Sequence, residues 1–479
     1  MNNKAYRILA IAALATASAG TQAQSLPLDV KPTCVVPPAE FKKWFGGTVT
    51  ANGAVTFADS VAFKHLNDCD FNRWSEQMFS WLVSPANGGS RVFDSSLFFT
   101  VSEEDSQHQR HLIPHVPGKP RLMAAFHAQL GSNISVGQAG GSGVLMSQSH
   151  SIVYYSIDVN DVYAYFLTKV KQQDGSKTAR YPDFPTSLKD LEFDKKPPPE
   201  FPDLHALAME IKTSWVEANT LASQGLDKKD YVRLEAVIPN YVSGQCTVSY
   251  QTTPVACLVV DSAKPTRTAE MALVGMHVVG STNGHPEMVW ATFEHDSNAP
   301  NAPYPYETAS GKTAWQQAST TGNWLFSANG STGPFNTEDM TFASSNGQGQ
   351  IVPTQFNSVT PSDTMRMNAW GTNWLNPAVV PNNTGVISVN HSVLSQFLAG
   401  DIRRHYHYIG STWTTDGTSP AVATNQVGTN LLNNATMETY QQFPQPNLNC
   451  FSCHQGNLPT NGLDPDGLSH IFKALNPLP

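Results

Sequence analysis

Charged side chains are scarce in this 479-residue chain, and positive charge is scarcer than negative. Only 14% of the residues are Asp, Glu, Lys or Arg, and the formal net charge is -9. Nucleic-acid binding depends on Lys and Arg side chains that neutralise phosphates, so this charge balance argues against a nucleic-acid partner. Asn, Gln, Ser, Thr and Gly are abundant instead, which is common in exported proteins rich in strands and loops.

Long apolar runs are also missing beyond the first residues of the chain. The N-terminus has Lys4 and Arg7 before an apolar stretch, and small residues follow as far as Ala23. This order predicts a secretory signal peptide at residues 1–23. The apolar stretch is about half as long as a membrane span requires, which disfavours a permanent anchor. We therefore expect a periplasmic protein with no membrane span after signal cleavage.

Cysteine is sparse, and the six cysteines fall into three pairs along the sequence. Cys34 precedes Cys69 in a Pro-rich region, while Cys246 and Cys257 flank a segment that could form a hairpin. An exported protein matures in an oxidising compartment, where such pairs become structural disulfides. We expect these two disulfides, with reduced buried cysteines and pairing across the two sets as the alternatives.

The hydrophobic pattern predicts a mixed α+β fold, with a β-rich body, peripheral helices and long loops. A helix is predicted near residues 70–83, where apolar residues recur at helical spacing behind Asp70 as a cap. A second, short helix could begin at Asn160. Strands are predicted from alternating or continuous apolar residues in YVRLEAVIPNY, CLVV, EMALVGMHVVGS and EMVWATFEH.

The most specific motif lies near the C-terminus, where CFSCH at residues 450–454 fits the pattern C-x-x-C-H. In this pattern two thiols bind covalently to one haem and the adjacent imidazole binds its iron. A thioredoxin-like dithiol is disfavoured because no strand precedes the motif, and a zinc site would need two more ligands. We predict one haem c, with thioether bonds from Cys450 and Cys453 and with His454 as the proximal iron ligand.

The position of this motif indicates how the chain is organised. Only 25 residues follow His454, too few to enclose a haem, so the body must supply part of the pocket. We divide the chain into the signal peptide, an N-terminal region at 24–139, a β-rich main body at 140–427 and a C-terminal segment at 428–479. The last segment is predicted to bind the haem and to pack on the body.

The second axial ligand of the iron has two candidates in the sequence. Met437 lies 13 residues before Cys450 on a short predicted helix, and His470 lies 16 residues after His454. A methionine ligand would raise the reduction potential, whereas a second histidine would leave it lower. Alternatively, another residue is the second ligand or the coordination position is open. In that case Met437 would be a core residue and His470 a surface residue.

Two further groups of histidines are weaker candidates for a site. His405 and His407, beside two arginines, could ligate the iron or neutralise haem propionates, although a structural role is the simpler interpretation. The other group, in β-rich segments at residues 277–296, contains histidine and carboxylate side chains that could bind a transition metal, but it lacks H-E-x-x-H spacing. Within this group, Glu294 and Asp296 could form an acid/base pair. We interpret this group as satisfied polar residues of the body; its members are His277, His285, Glu294, His295 and Asp296.

Several segments resemble a group of largely uncharacterised bacterial monohaem cytochrome c proteins. They are NATMETYQQF, NCFSCH and LSHIFKALNPLP, together with EIKTSW, GMHVVGSTNG and WATFEHDSNAP upstream. The likeness runs from about residue 140 to the end of the chain. It implies an exported redox protein whose single haem is bound by Cys450, Cys453 and His454, and it implies no substrate.

Electron transfer through one covalently bound haem is the function that the sequence favours. Its partner would be a redox protein or a small-molecule electron donor or acceptor. The alternative is a haem-containing periplasmic oxidoreductase whose large body binds a small-molecule substrate, because electron transfer alone can be done by a much smaller domain. A haem-based sensor is a third, weaker hypothesis.

Overall fold

The computed structural model describes most of the chain after residue 24. The described ranges are 25–123, 136–138, 141, 143–173, 181–345, 348–355, 358–371, 379–420, 425–442, 449–455 and 465–479. The predicted signal peptide lies outside these residues. Within them the fold is mixed α+β, and most of the regular structure is strand, as the sequence predicted.

The described helices are few and mostly short. They are α1 (Pro38–Trp44), α2 (Asp68–Leu82), α3 (Asp161–Gln173), α4 (Val379–Leu394), α5 (Cys450–Cys453) and α6 (Pro465–Leu468). Among the described residues, none of these helices combines the length and apolar character that crossing a membrane would need.

The strands follow one another through the middle of the chain. They are β1 (Phe98–Val101), β2 (Leu112–Pro114), β3 (Arg121–Leu122), β4 (Tyr154–Asn160), β5 (Met209–Glu217), β6 (Arg233–Pro239), β7 (Tyr241–Cys246), β8 (Val255–Val260), β9 (Thr266–Thr282), β10 (His285–His295), β11 (Tyr304–Glu307), β12 (Thr313–Gln316), β13 (Met340–Ser345), β14 (Gln348–Pro353), β15 (Tyr406–Thr414) and β16 (Gln426–Gly428).

A ten-stranded sheet forms the centre of the protein. Its main order is β16-β15-β10-β9-β5-β4-β1-β2, all antiparallel, while β6 pairs with β9 and β3 lies parallel to β6. Strands β7, β8, β13 and β14 form a smaller sheet, and β11 pairs with β12. Strands β1 to β3 come from the region at 24–139, so the main sheet runs across the boundary near residue 139.

The two faces of the main sheet are covered by different parts of the chain. Helix α2 packs on one face, where Phe79 stacks on Phe293 of β10 at 4.2 Å between ring centres. Paired residues on neighbouring strands share a face, as do residues two apart on one strand. Lys212 pairs with His277, which pairs with Thr292, two residues after Trp290. These side chains therefore lie on the opposite face, here called the C-terminal face.

Local signals explain the helix boundaries and correct two predictions. Helix α2 begins at Asp68 and is capped by Asn67, while Asp70 occupies the third position of the capping box instead of the cap itself. The Asn160 side chain accepts a hydrogen bond from the Tyr163 backbone N–H at 3.0 Å, which starts α3 as predicted. The short helix predicted around Met437 is absent from the described residues 433–442, which form turns and a single 3₁₀ turn.

Both predicted disulfides are present, Cys34–Cys69 and Cys246–Cys257. The second links the two strands of the β7–β8 hairpin at the end next to its connecting loop, where Cys246 pairs with Val255. Disulfides persist where thiols are oxidised, so this pairing indicates maturation in an oxidising compartment.

Candidate functional site

The C-x-x-C-H motif forms a single helical turn, α5, with both thiols free. The Asn449 side chain accepts a hydrogen bond from the Ser452 backbone N–H at 3.0 Å, and the Ser452 hydroxyl accepts one from the Asn449 backbone N–H. The backbone N–H of His454 donates to the Cys450 carbonyl at 2.8 Å and ends the turn. This capped turn holds Cys450, Cys453 and His454 together.

The His454 ring is oriented by the segment that follows it. Its Nδ1–H donates to the backbone carbonyl of Leu468, the last residue of α6, at 2.6 Å. The other ring nitrogen, Nε2, is therefore free to bind a metal. Burial lowers the pKa of His454 to about 3, so the ring is neutral, which is the protonation state of a metal ligand.

The motif packs on the body through aromatic side chains. The Trp290 ring, on β10, lies 4.3 Å from the His454 ring and forms an edge contact with buried Phe451. Phe451, Leu468 and Phe472 belong to one apolar cluster with the buried face of α3. The C-terminal segment therefore packs on the C-terminal face of the main sheet, as the sequence predicted.

A row of partly buried polar side chains crosses the C-terminal face next to the motif. His277 and Glu438 pair at 2.9 Å between Nε2 and Oε1. Burial raises the pKa of Glu438, but His277 and then Lys212 outweigh this effect and leave the pKa below its usual value. Burial lowers the pKa of Lys212 against the opposing charges of Glu438 and Glu210. This row places ionised groups beside His454.

A cavity of about 300 Å³ continues this polar row on the same face. Lys212, Tyr155 and Ile157 line it from the sheet, and Arg110 and Glu103 line it from the β1–β2 connection. Sequence reasoning missed Lys212, although a lysine inside the apolar strand MEIKTSWV is a detectable signal of a buried charge. Three acidic residues, Glu103, Glu104 and Asp105, line the same cavity, and Arg110 pairs with the first two at 3.7 and 3.6 Å. The cavity therefore holds charges of both signs.

The two residues proposed as the second axial ligand take different positions. His470 is exposed, and its ring stacks on the His454 ring at 4.2 Å and 14°, while its Nε2–H donates to the Cys453 carbonyl at 3.1 Å. Met437 is fully buried in a different apolar cluster, with Leu325. The structure thus brings His470 into direct contact with His454 and keeps Met437 in a separate part of the core.

The histidine and carboxylate group of β9 and β10 is divided among separate partners. His277 meets Glu438, and His285 meets Glu287 at 2.8 Å. Glu294 is held by the guanidinium of Arg366, so it does not form an acid/base pair with Asp296.

The remaining histidines of interest lie away from the motif. His407 is buried beside Trp370, at 6.2 Å between ring centres. His405 lies beyond the end of β10, where it meets Asp296 and Asp230. Among the candidate residues that the structure describes, His295, Asp296 and His405 come together as a second cluster of possible metal ligands.

No family model, no curated protein and no solved structure matches this chain. The chemistry of the site must therefore be inferred from its own residues. Free thiols on one capped turn, followed by a neutral imidazole with Nε2 available, fit a covalently attached haem. Cys450 is partly buried and Cys453 is exposed, and both thiols lie on the same short turn, from which they could bind one edge of a haem.

Proposed function

We propose that this protein is an exported, monohaem c-type cytochrome that transfers electrons through a haem bound by Cys450, Cys453 and His454. The observation that carries the proposal is the capped turn with two free thiols, followed by an imidazole whose Nδ1 is bound to the Leu468 carbonyl. The two disulfides support a periplasmic location, because they require an oxidising compartment. The resemblance of residues 140–479 to bacterial monohaem cytochromes agrees with it.

The surrounding residues have defined tasks in this proposal. A bound haem would supply a one-electron ferric/ferrous couple. The hydrogen bond to Leu468 fixes the tautomer and orientation of His454 and makes Nε2 more basic. The Trp290 ring contacts this imidazole and Phe451 packs against Trp290, so these rings would limit the access of water to the imidazole. Lys212, which lines the neighbouring cavity, could pair with a haem propionate.

A redox titration of the purified protein tests this function. The full chain, produced with a haem-attachment system, should contain one haem per chain and titrate reversibly as a single one-electron couple. The double variant Cys450→Ala/Cys453→Ala provides the control and should lack this couple. A wild-type protein without haem, or with haem that cannot be reduced and reoxidised, would contradict electron transfer.

An oxidoreductase is the second candidate, and the cavity beside Lys212 is the observation that favours it. Buried concave sites with a few polar groups are the usual place for a small-molecule substrate. Carbon monoxide distinguishes the two functions, because it binds ferrous iron only at an open or easily displaced position. An unchanged absorption spectrum supports electron transfer by six-coordinate iron, whereas a clear change supports catalysis at the iron.

A further inference from the structure

A second cluster of ligand-type side chains lies where β10 ends and β15 begins. His295 is the last residue of β10, and Asp296 follows it. His405 ends a 3₁₀ turn, Ile402–His405, directly before β15. The two strands are antiparallel, with His295 paired to Tyr406, so both histidines reach the same end of the sheet.

The Asp296 carboxylate lies between the two imidazoles. Its Oδ1 is 3.3 Å from His295 Nδ1, and its Oδ2 is 3.7 Å from His405 Nδ1. One ligand atom from each residue lies within 4.8 Å of the other two. In a tetrahedral site with metal–ligand bonds of about 2.1 Å, ligand atoms are about 3.4 Å apart. Small side-chain adjustments would therefore bring all three atoms onto one ion.

A single residue, Asp230, orients both imidazoles. Its backbone carbonyl lies 3.2 Å from His295 Nε2, and because a carbonyl can only accept, Nε2 carries the proton and Nδ1 does not. Its carboxylate lies 3.5 Å from His405 Nε2. The two rings are parallel within 7°. Metal-binding histidines usually donate their other N–H to a carbonyl or carboxylate in this way.

The remaining contacts show how the cluster is packed and reached. Tyr231 stacks on the His295 ring at 3.7 Å and fixes its position. The Ser297 hydroxyl lies 2.8 Å from His295 Nδ1, and the Ser297 backbone N–H donates to the same nitrogen at 3.3 Å, so both donors must move away when a metal binds. The side chain of His405 is 35% exposed, whereas that of His295 is 3% exposed, so an ion would enter past His405.

We propose that His295, Asp296 and His405 bind one divalent transition-metal ion, such as Zn²⁺ or Cu²⁺. Two imidazole nitrogens and one carboxylate oxygen favour these ions over Ca²⁺ and Mg²⁺, which prefer all-oxygen sites. His295 lies five residues beyond Trp290 on β10, which separates the two residues by about 16 Å. The site is therefore distinct from the C-x-x-C-H motif and independent of the function proposed for it.

Calorimetric titration of the full-length protein with ZnCl₂, after chelator treatment, tests this proposal. The thiols of Cys450 and Cys453 must be bonded to haem or replaced by alanine so that they cannot bind zinc. We expect one ion per chain, with affinity reduced more than about 100-fold in His405→Ala and about 10–100-fold in Asp230→Asn. His205→Ala is the matched control, because His205 forms an exposed pair with Asp59 at 3.2 Å.

Thermal unfolding provides a second measurement on the same variants. Zinc should raise the Tm of the wild type and of His205→Ala, and it should leave the Tm of His405→Ala unchanged. The partial exposure of His405 makes this variant compatible with folding, which circular dichroism checks. The proposal is wrong if the wild type binds no zinc, or if folded His405→Ala binds zinc as tightly as the wild type does.

Discussion

Burial controls the charge of single acidic residues on the C-terminal face of the main sheet. Glu210 lies on β5, and burial raises its pKa to about 7, while the Ser469 hydroxyl and Lys212 oppose the shift. Glu438 lies nearby, but the charges of His277 and Lys212 keep it ionised. Residues with the same chemistry thus have different charges near pH 6, because the cationic partners outweigh the effect of burial at Glu438 but not at Glu210.

The raised pKa of Glu210 predicts a pH-dependent stability. A carboxyl group with a higher pKa in the folded state stabilises the fold below the unfolded pKa, and this contribution is lost as the pH rises through about 7. The free energy of unfolding of the wild type should therefore decrease between pH 5 and pH 7.5. In Glu210→Gln this decrease should be smaller by about 1–3 kcal/mol. Urea unfolding at both pH values measures this difference.

The control for this prediction is Glu235→Gln, on the exposed side of β6. It should retain the pH dependence of the wild type. Identical pH profiles for the wild type and Glu210→Gln would show that Glu210 is ionised throughout this range.

The stacking of His470 on His454 makes a prediction about the proposed haem. His470 contacts the ring proposed as the proximal ligand and donates to the Cys453 carbonyl, so we expect it not to be the second axial ligand. His470→Ala should then retain the haem and should leave the spin state of the ferric iron unchanged. Ferric absorption and electron paramagnetic resonance spectra measure the spin state, with Lys473→Ala as a control in the same segment. Conversion from low spin to high spin in His470→Ala alone would identify His470 as the second axial ligand.

Buried ion pairs connect strands to the loops that cross them. Arg366 comes from the described segment 358–371, and its guanidinium binds Glu294 of β10 and the side chain of Asn301. Glu294 also accepts a hydrogen bond from the Ala435 backbone N–H at 2.8 Å. One buried carboxylate therefore joins β10 to two separate loops.

Arg366→Met should destabilise the protein by about 3–5 kcal/mol, because it leaves the Glu294 carboxylate buried without its counterion. The matched control is Lys228→Ala, which removes an exposed pair with Glu270 and should cost less than about 1 kcal/mol. Chemical denaturation of both variants measures the two losses. Equal, small losses would show that the Arg366 pair contributes no more than a surface pair.

The two disulfides should differ in their effect on stability. Cys34–Cys69 closes 35 residues and Cys246–Cys257 closes 11, so the first restricts the unfolded chain more. We expect Cys34→Ser/Cys69→Ser to cost about 4 kcal/mol and Cys246→Ser/Cys257→Ser to cost about 3 kcal/mol. Urea unfolding without reductant compares the two double variants, and the reverse order would contradict this explanation.

Across the whole molecule, the features that could be predicted from the sequence are those that depend on residues close together in the chain. Strand alternation and the C-x-x-C-H spacing are local, so β6, β9, β10 and the α5 turn could be located. The predicted helix around Met437 was wrong because the Asn434 side chain accepts a hydrogen bond from the Thr436 backbone N–H at 2.9 Å. Such side-chain bonds compete with helix formation.

Contacts between distant residues are what the sequence could not reveal. Glu438 meets His277 across 161 residues, and His405 meets Asp296 from a different strand end. Neither pair has a sequence spacing that indicates contact, because the order of strands in the main sheet creates it. The position of the cavity beside Lys212 follows from the same strand order.

The mass of the denatured, purified protein tests the proposed haem attachment most directly. The full chain should be produced with a haem-attachment system and compared with Cys450→Ala/Cys453→Ala. We predict a wild-type mass that exceeds that of the processed polypeptide by one haem, and a double variant without this increase. A wild-type mass equal to that of the polypeptide alone would contradict covalent haem attachment.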